Sequence, residues 1–339
     1  MPLIEVSNLK TYFDTREGFA RAVDDVSFSI EPGQNFGLVG ESGCGKTTAV
    51  KSVIRLLPRN GQIVGGKVLF KGCDLLLLPE KQMRKFRWRE ISIISQSAMN
   101  ALDPVYKVGD QIVEAIRAHE KISRSQALDR AVELFSLVGI DRRRLYDYPH
   151  QFSGGMRQRS VIAMSLALNP DLIIADEPTT ALDVVVQGQI LRRIRSLQAR
   201  HNASMIIITH DISVIAETCE RAAVMYAGKI AETGSIVGVL KNPYHPYTMG
   251  LKNAFPSVLG EKMDLISIPG SPPSLVDPPQ GCRFSARCPF SLEICRMQEP
   301  PLTQVDTEQF AACHRVAEAD AFRMRAAQEE TWERTDGGK

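Results

Sequence analysis

The chain has 339 residues, 24% of them charged and 44% hydrophobic, with a formal net charge of +2. These are ordinary values for a globular protein with material for one large domain or two, and the charge argues neither for nor against nucleic acid. The longest apolar runs, such as Met205–Ile208, fall far short of the roughly 20 residues that span a bilayer, which excludes a membrane-spanning role. Met1–Glu5 leads straight into strand-like sequence without a signal segment. The chain is therefore expected in the cytoplasm, with any membrane role exercised through a partner.

In chain order, Val23–Ile30 alternates apolar and polar residues as a half-buried strand does, and Glu31-Pro32-Gly33-Gln34 is a turn. Asn35–Val39 is a short apolar strand that runs into Gly40-Glu41-Ser42-Gly43-Cys44-Gly45-Lys46-Thr47, a complete G-x-x-x-x-G-K-[ST] loop. Thr47–Leu57 has helical spacing and stops at Pro58. Further strands and turns fill residues 61–96. From about Val108 to Val138 the apolar spacing becomes three and four residues, with Ala127, Ala131, Leu134, Phe135 and Val138 on one face. That stretch predicts a helical subdomain, about residues 97–160, inserted in an α/β frame. Leu172–Ala175 and Met205–Thr209 are apolar enough for a mostly parallel sheet covered on both faces, with a helix at Gln187–Arg200 between them. After Pro243, proline and glycine become frequent, and the charged, Ala-rich stretch Val316–Lys339 reads as a surface helix or frayed tail. No internal repeat is visible, and each motif occurs once.

Strand, glycine-rich loop and helix form a phosphate-binding context. Backbone N–H groups of Gly43, Gly45 and Lys46 are expected to wrap nucleotide phosphates at a helix start, where the peptide dipoles favour negative charge, with Gly40, Ser42 and Cys44 in the same nucleotide-binding loop. Lys46 would bridge the β- and γ-phosphates, the Thr47 hydroxyl would coordinate Mg2+, and Thr48 follows in the same turn. Asp176 ends an apolar strand and is placed to hold the Mg2+ shell, with Glu177 beside it as general base for an attacking water. Gln96, also at a strand end, can touch both Mg2+ and the water, and His210 can reach the γ-phosphate. Ser153-Gly154-Gly155 offers a second anion site at a helix start. Arg157 and Arg159 sit in its first turn, where cations oppose the dipole, so they face a carboxylate, an anion or plain solvent. Two phosphate sites in one chain imply that each nucleotide lies between the loop of one subunit and the serine-glycine helix of another.

Taken together, Gly40–Thr47, Gln96, Ser153–Arg159, Asp176-Glu177, Ala181-Leu182-Asp183 and His210 resemble the ATP-binding cassette ATPases over about residues 3–240. The resemblance implies an α/β cassette with a RecA-like core and helical subdomain, ATP and Mg2+ as ligands, Asp183 in the loop crossing the dimer interface, and Tyr12 or Phe13 stacked on adenine. Phe152 departs from the usual leucine opening the signature but keeps its apolar character. Asn242-Pro243-Tyr244-His245-Pro246-Tyr247-Thr248, the Pro-rich segment and the late cysteines are similar to the ATPase subunits of dipeptide and oligopeptide importers. That implies a division into a cassette at 1–242 and a C-terminal region at 243–339. It also implies a second, related ATPase, two membrane permeases contacted by Ser97–Tyr106, and an extracytoplasmic binding protein. The chain would then sit peripherally on the cytoplasmic membrane face, with no nucleic-acid partner. Members serving oligosaccharides or nickel leave the solute open.

Seven cysteines include a late quartet, Cys282-x5-Cys288-x6-Cys295-x17-Cys313. Clustering in a cytosolic chain suggests metal. A zinc site usually offers a C-x2-4-C pair, absent here, whereas iron–sulfur clusters tolerate wider loops. The resemblance adds a 4Fe-4S cluster as the expectation, with zinc or unligated thiols as alternatives. Competing readings are a soluble cassette acting on nucleic acid or ribosomes, and a non-catalytic module that uses ATP as a clamp. About 105 residues without sustained heptads separate the phosphate loop from the signature, which disfavours the coiled-coil DNA-repair relatives. Glu177 and His210 argue for turnover.

Overall fold

The computed structural model describes residues 1–95, 101–178, 202–254 and 266–333. The chain forms two compact units, Met1–Ile30 with Asn35–Leu76 and Thr209–Lys339, and Glu31–Gln34 with Leu77–Ile208.

The first unit opens with β1 (Ile4–Thr15) and β2 (Gly18–Ile30), an antiparallel pair in register from Ile4 opposite Ile30 to Thr15 opposite Gly18. Ile4 and Val6, and then Leu9 and Thr11, are buried at the strand period of two, the two pairs being offset by a register shift between Val6 and Leu9 where Asn8 has φ 49. Next come β3 (Asn35–Val39) and α1 (Lys46–Val53), and then β4 (Gly61–Phe70), which pairs with the other edge of β1, and β5 (Cys73–Asp74). All five residues of β3 are buried. The helix after the loop is shorter than its spacing predicts. It ends at Val53 because Arg55 adopts a left-handed backbone (φ 54) and the Leu56 N–H bonds back to the Lys51 carbonyl at 2.8 Å.

In the second unit, α2 (Glu80–Phe86) precedes β6 (Ile91–Ile94), and two helices follow, α3 (Val108–His119) and α4 (Arg124–Leu137). Ser123 starts α4 with a reciprocal cap: its hydroxyl accepts from the Gln126 N–H and the Gln126 side chain accepts from the Ser123 N–H. Ala127, Ala131, Leu134 and Phe135 are its buried face, as their spacing predicts. The chain continues through α5 (Gly154–Ser165) to β7 (Leu172–Asp176) and β8 (Ser204–Thr209). The strands β6, β7 and β8 pair in parallel, Ile91 opposite Leu172 and Leu172 opposite Ser204, and β7 and β8 are buried throughout. The expected helix at 187–200 lies outside the described residues.

The remainder of the first unit holds α6 (Ile212–Thr218), β9 (Arg221–Tyr226), β10 (Lys229–Ser235), α7 (Ile236–Lys241) and α8 (Pro246–Asn253). Here β9 is parallel to β3 and antiparallel to β10. Past the short α9 (Glu293–Met297), β11 (Thr303–Asp306) and β12 (Gln309–Ala311) form a hairpin. That hairpin docks on β10, with Glu232 opposite Ala311, so the Pro-rich segment borrows an existing strand in place of a core of its own. The last described elements, α10 (Ala319–Ala326) and α11 (Glu329–Glu333), are the expected surface helix in part, but each also buries a large aromatic side chain. Phe322 stacks on Phe290 with centroids 4.1 Å apart, and Trp332 is 2% exposed, packed against Gly250 of α8. Two aromatic side chains outweigh the charged composition of the tail.

Candidate functional site

The phosphate loop is held in shape by close approach of backbones. Gly40 has φ 154 and Gly45 φ 107, and a Cβ on either would lie 2.2 Å from the Met225 carbonyl oxygen or 2.0 Å from that of Ala22. Only glycine fits both demands. The turn after β9 closes the loop from outside: the Gly228 N–H donates to the Cys44 carbonyl at 2.8 Å. Helix α1 starts at Gly45, in left-handed backbone, with no side-chain cap. A helix start whose N-cap supplies no side-chain cap favours an anion there through its peptide dipoles. Lys46 is 5% exposed, and its ammonium donates to the carbonyls of Gly40 (2.7 Å) and Glu41 (2.9 Å). Cys44 is buried, and burial raises its thiol pKa.

In the same unit the Tyr12 hydroxyl donates to Asp24 at 2.9 Å. Burial alone would raise the Asp24 carboxyl, yet the Tyr12 hydrogen bond and the charges of Lys229 and Arg283 hold it below the ordinary range. His210 is exposed, just past β8 and beside Asp211, whose carboxylate caps α6.

The second unit carries the acidic pair and the signature. Asp176 is 1% exposed at the end of β7. Glu177 follows in left-handed backbone (φ 47), with its N–H donated to the Ile208 carbonyl at 2.9 Å. A non-glycine residue in that region stores strain of about 1–3 kcal/mol, a feature common at functional positions. Ser153 caps α5, accepting from the Met156 N–H at 3.3 Å, and Gly154 and Gly155 form the first turn. The two arginines, expected to face a carboxylate, an anion or plain solvent, donate to backbone carbonyls. Arg157 donates to Pro149 at 2.9 Å and Arg159 to Gly139 at 3.0 Å, just past the C-terminal end of α4, where a cation is favoured. Gln96 and Asp183 lie outside the described residues.

All four late cysteines, Cys282, Cys288, Cys295 and Cys313, line one small cavity, and none is in a disulfide. Burial pushes the Cys282 thiol up to about 12 and raises those of Cys288 and Cys313 as well. Among the described residues, however, no group of three or more His, Cys, Asp or Glu side chains is placed to hold a metal ion. The four thiols thus share a cavity without forming a ready ion site among the described residues.

Sequence reasoning missed the groups that brace the loop: Glu41, Asp24, Arg283 and Arg287. The signal available was position alone, since Glu41 lies inside the loop and each arginine adjoins a cysteine.

An uncapped helix after a glycine loop, a buried carboxylate at a strand end and a serine-capped glycine helix define a P-loop nucleotide hydrolase of the cassette class. The comparisons agree. The profile described as ABC transporter matches residues 23–180, and that described as oligopeptide/dipeptide transporter, C-terminal region, matches residues 231–295. A probable peptide ABC transporter ATP-binding protein of Sinorhizobium fredii is 48% identical over 317 residues, covering 92% of this chain and 95% of that protein. The dipeptide transport ATP-binding protein DppD of Lactococcus lactis is 46% identical, covering 91% and 89%, and the oligopeptide transport protein OppD of Bacillus subtilis 47%, covering 89% and 86%. A dimeric bacterial ABC transporter cassette of solved structure superposes with a TM-score of 0.63 at 26% identity, over 69% of this chain and 98% of that one. The chain belongs to the oligopeptide/dipeptide family of ABC transporter ATP-binding subunits, and is an ABC ATPase.

Proposed function

We propose that this subunit powers import of dipeptides or oligopeptides, by closing on a second, related ATPase beneath two permeases fed by a binding protein. The observation that carries the cargo is the match of residues 231–295 to the transporter C-terminal region, together with relatives named for peptide transport. This favours peptides over oligosaccharides or nickel, and transport over nucleic acid or ribosomes. No described helix is long and apolar enough to cross a membrane, which fits peripheral attachment at the cytoplasmic face through the permeases. Residues 1–242 serve as the cassette and 243–339 as the C-terminal region.

In this reading the loop Gly40–Thr48 binds the phosphates, Tyr12 stacks on adenine, and Ser153, Gly154, Gly155 and Asp183 close over the partner's ATP. Thr47, Gln96 and Asp176 hold Mg2+. Glu177 orients and deprotonates water, and His210 and Gln96 bracket the γ-phosphate. Closure moves the permeases, and hydrolysis with phosphate release reopens the pair. The permease surface falls beside Val105 and Tyr106, which are exposed, and beside Tyr146, whose stretch joins theirs through the bond from Val108 N–H to the Asp147 carbonyl at 3.0 Å.

The donor set of the cysteine cavity, four thiols with no carboxylate in its lining, suits a 4Fe-4S cluster held by Cys282, Cys288, Cys295 and Cys313. Such a cluster would staple the Pro-rich segment, its binding free energy adding to folding. Anaerobic purification followed by assay of iron, sulfide and zinc tests it: equal iron and sulfide supports the cluster, zinc alone or no metal overturns it.

Gentle extraction from native membranes and mass spectrometry of what comes with the chain tests the transport reading. Two polytopic permeases, a different cassette ATPase and a binding protein are the expected companions. Recovery with ribosomes or nucleic acid would overturn it.

A further inference from the structure

We propose that the cysteine-bearing segment positions the nucleotide pocket through two arginines, Arg283 and Arg287. The proposal rests on the reading of Gly40–Thr48 and Tyr12 as an ATP site. Both arginines are 7% exposed and each adjoins a cysteine of the quartet.

Arg287 is committed on every side. Its Nη1 donates to both carboxylate oxygens of Glu41, at 3.0 and 2.9 Å, and contacts the Tyr226 hydroxyl at 3.2 Å. Nε donates to the Pro269 carbonyl at 2.8 Å and Nη2 to that of Ile268 at 3.2 Å. Only a guanidinium has enough donors in a rigid fork for that set. Glu41 is the second residue of the phosphate loop. Its N–H donates to the hydroxyl of Tyr247, a fully buried residue of α8, at 2.9 Å. Its carbonyl accepts from the Lys46 ammonium at 2.9 Å. Side chain and N–H are therefore both fixed by residues beyond 243, while the carbonyl orients the lysine that meets the phosphates.

Arg283 makes a second, parallel link. It forms an ion pair with Asp24 and donates to the Ala227 carbonyl. The other oxygen of Asp24 accepts from Tyr12, and the Asp24 N–H donates to the Gly228 carbonyl at 2.8 Å. The N–H of that same Gly228 holds Cys44 of the loop. One arginine thus reaches Lys46 through Glu41, and the other reaches Tyr12 through Asp24. A segment with few apolar residues has its buried charges spent on the two ends of the nucleotide, its phosphates and its base. Neither arginine touches the nucleotide in this account; both are positioning residues.

The test is equilibrium binding of a non-hydrolysable ATP analogue with Mg2+ to the full chain, with steady-state KM and kcat measured alongside. Arg287→Gln is expected to weaken analogue binding about tenfold, the equivalent of one charge-assisted hydrogen bond. KM should rise with it, while kcat at saturation stays within about twofold. Arg287→Lys, which keeps the charge toward Glu41, should recover part of the loss. Glu41→Gln keeps the backbone bond to Tyr247 and guards against misfolding of the arginine variant. It should weaken binding similarly, and the double variant should be no worse than either single one, because one interaction is removed in each case. A folded Glu41→Gln chain that binds as well as wild type, or a strictly additive double variant, would overturn the clamp. A wild-type chain that does not bind the analogue at all would instead overturn the ATP-site reading beneath it.

Discussion

The two helix starts proposed to bind phosphate are built in opposite ways. Helix α1 begins at a left-handed glycine without a side-chain cap, braced from outside by the Ala22, Met225 and Gly228 backbones. Helix α5 begins at Ser153, which caps itself on Met156, and its glycines lie inside the helical turn. The first start has no side-chain cap and depends on its surroundings for shape. The second is complete alone, at the cost of about 1 kcal/mol per glycine in helix propensity. Glycine therefore means different things at the two sites: backbone geometry at α1, and access for a ligand from elsewhere at α5.

The largest expected effect breaks the chemistry on both sides of that comparison. Lys46→Ala should reduce ATP turnover at least about 100-fold with thermal stability within about 1 kcal/mol of wild type, read by phosphate release and denaturant unfolding. Glu177→Gln should do the same to turnover while leaving analogue binding intact, which separates the clamp reading of ATP from hydrolysis. Next comes the glycine contrast. Gly45→Ala places a Cβ 2.0 Å from a backbone oxygen at φ 107, so it should destabilise the fold by about 3 kcal/mol or more. Gly155→Ala carries no such backbone penalty and should leave stability unchanged or slightly raised, while ATP-dependent dimerisation falls. If Gly155→Ala unfolds the chain as Gly45→Ala does, the distinction between the two starts is wrong.

What was legible in the amino-acid order divides along the same line. The loop, the acidic pair and the signature stand out because the phosphate binding and water activation proposed for them demand fixed residue types at fixed spacing. The strands Asn35–Val39 and Leu172–Ala175 were legible because burial on both faces leaves mostly apolar residues, Asn35 being the polar one. The bracing was not, because Arg287 reaches Glu41 from 246 positions away and nothing local marks either as paired. The burial of Phe322 and Trp332 was hidden for the same reason: their partners, Phe290 and Gly250, are distant in sequence. The carbonyl acceptors of Arg157 and Arg159 were not legible, because no composition reveals a backbone partner.

A smaller effect sharpens the α5 side. Ser153→Ala removes a helix cap and should cost about 1 kcal/mol of stability. If the hydroxyl also serves a partner's γ-phosphate, turnover should fall about tenfold more than that loss explains, and adding excess nucleotide should not restore it. Stability lost with turnover retained would reduce Ser153 to a cap.

The smallest effect is confined to the α1 side, where Asp24 is a titrating group in the support of the loop. Asp24 has its carboxyl held below the ordinary value in the folded chain, so the unfolded chain takes up a proton there first as pH falls. Its contribution to stability is therefore fully present above about pH 4 and is lost as pH drops through the lower, folded value. Asp24→Asn removes that contribution at every pH. Denaturant unfolding of both proteins between about pH 6 and pH 3 should show their stability difference shrinking at the acid end. A difference that stays constant across the range would mean that the Asp24 charge, and with it the Arg283 link to Tyr12, adds nothing to the support of the loop.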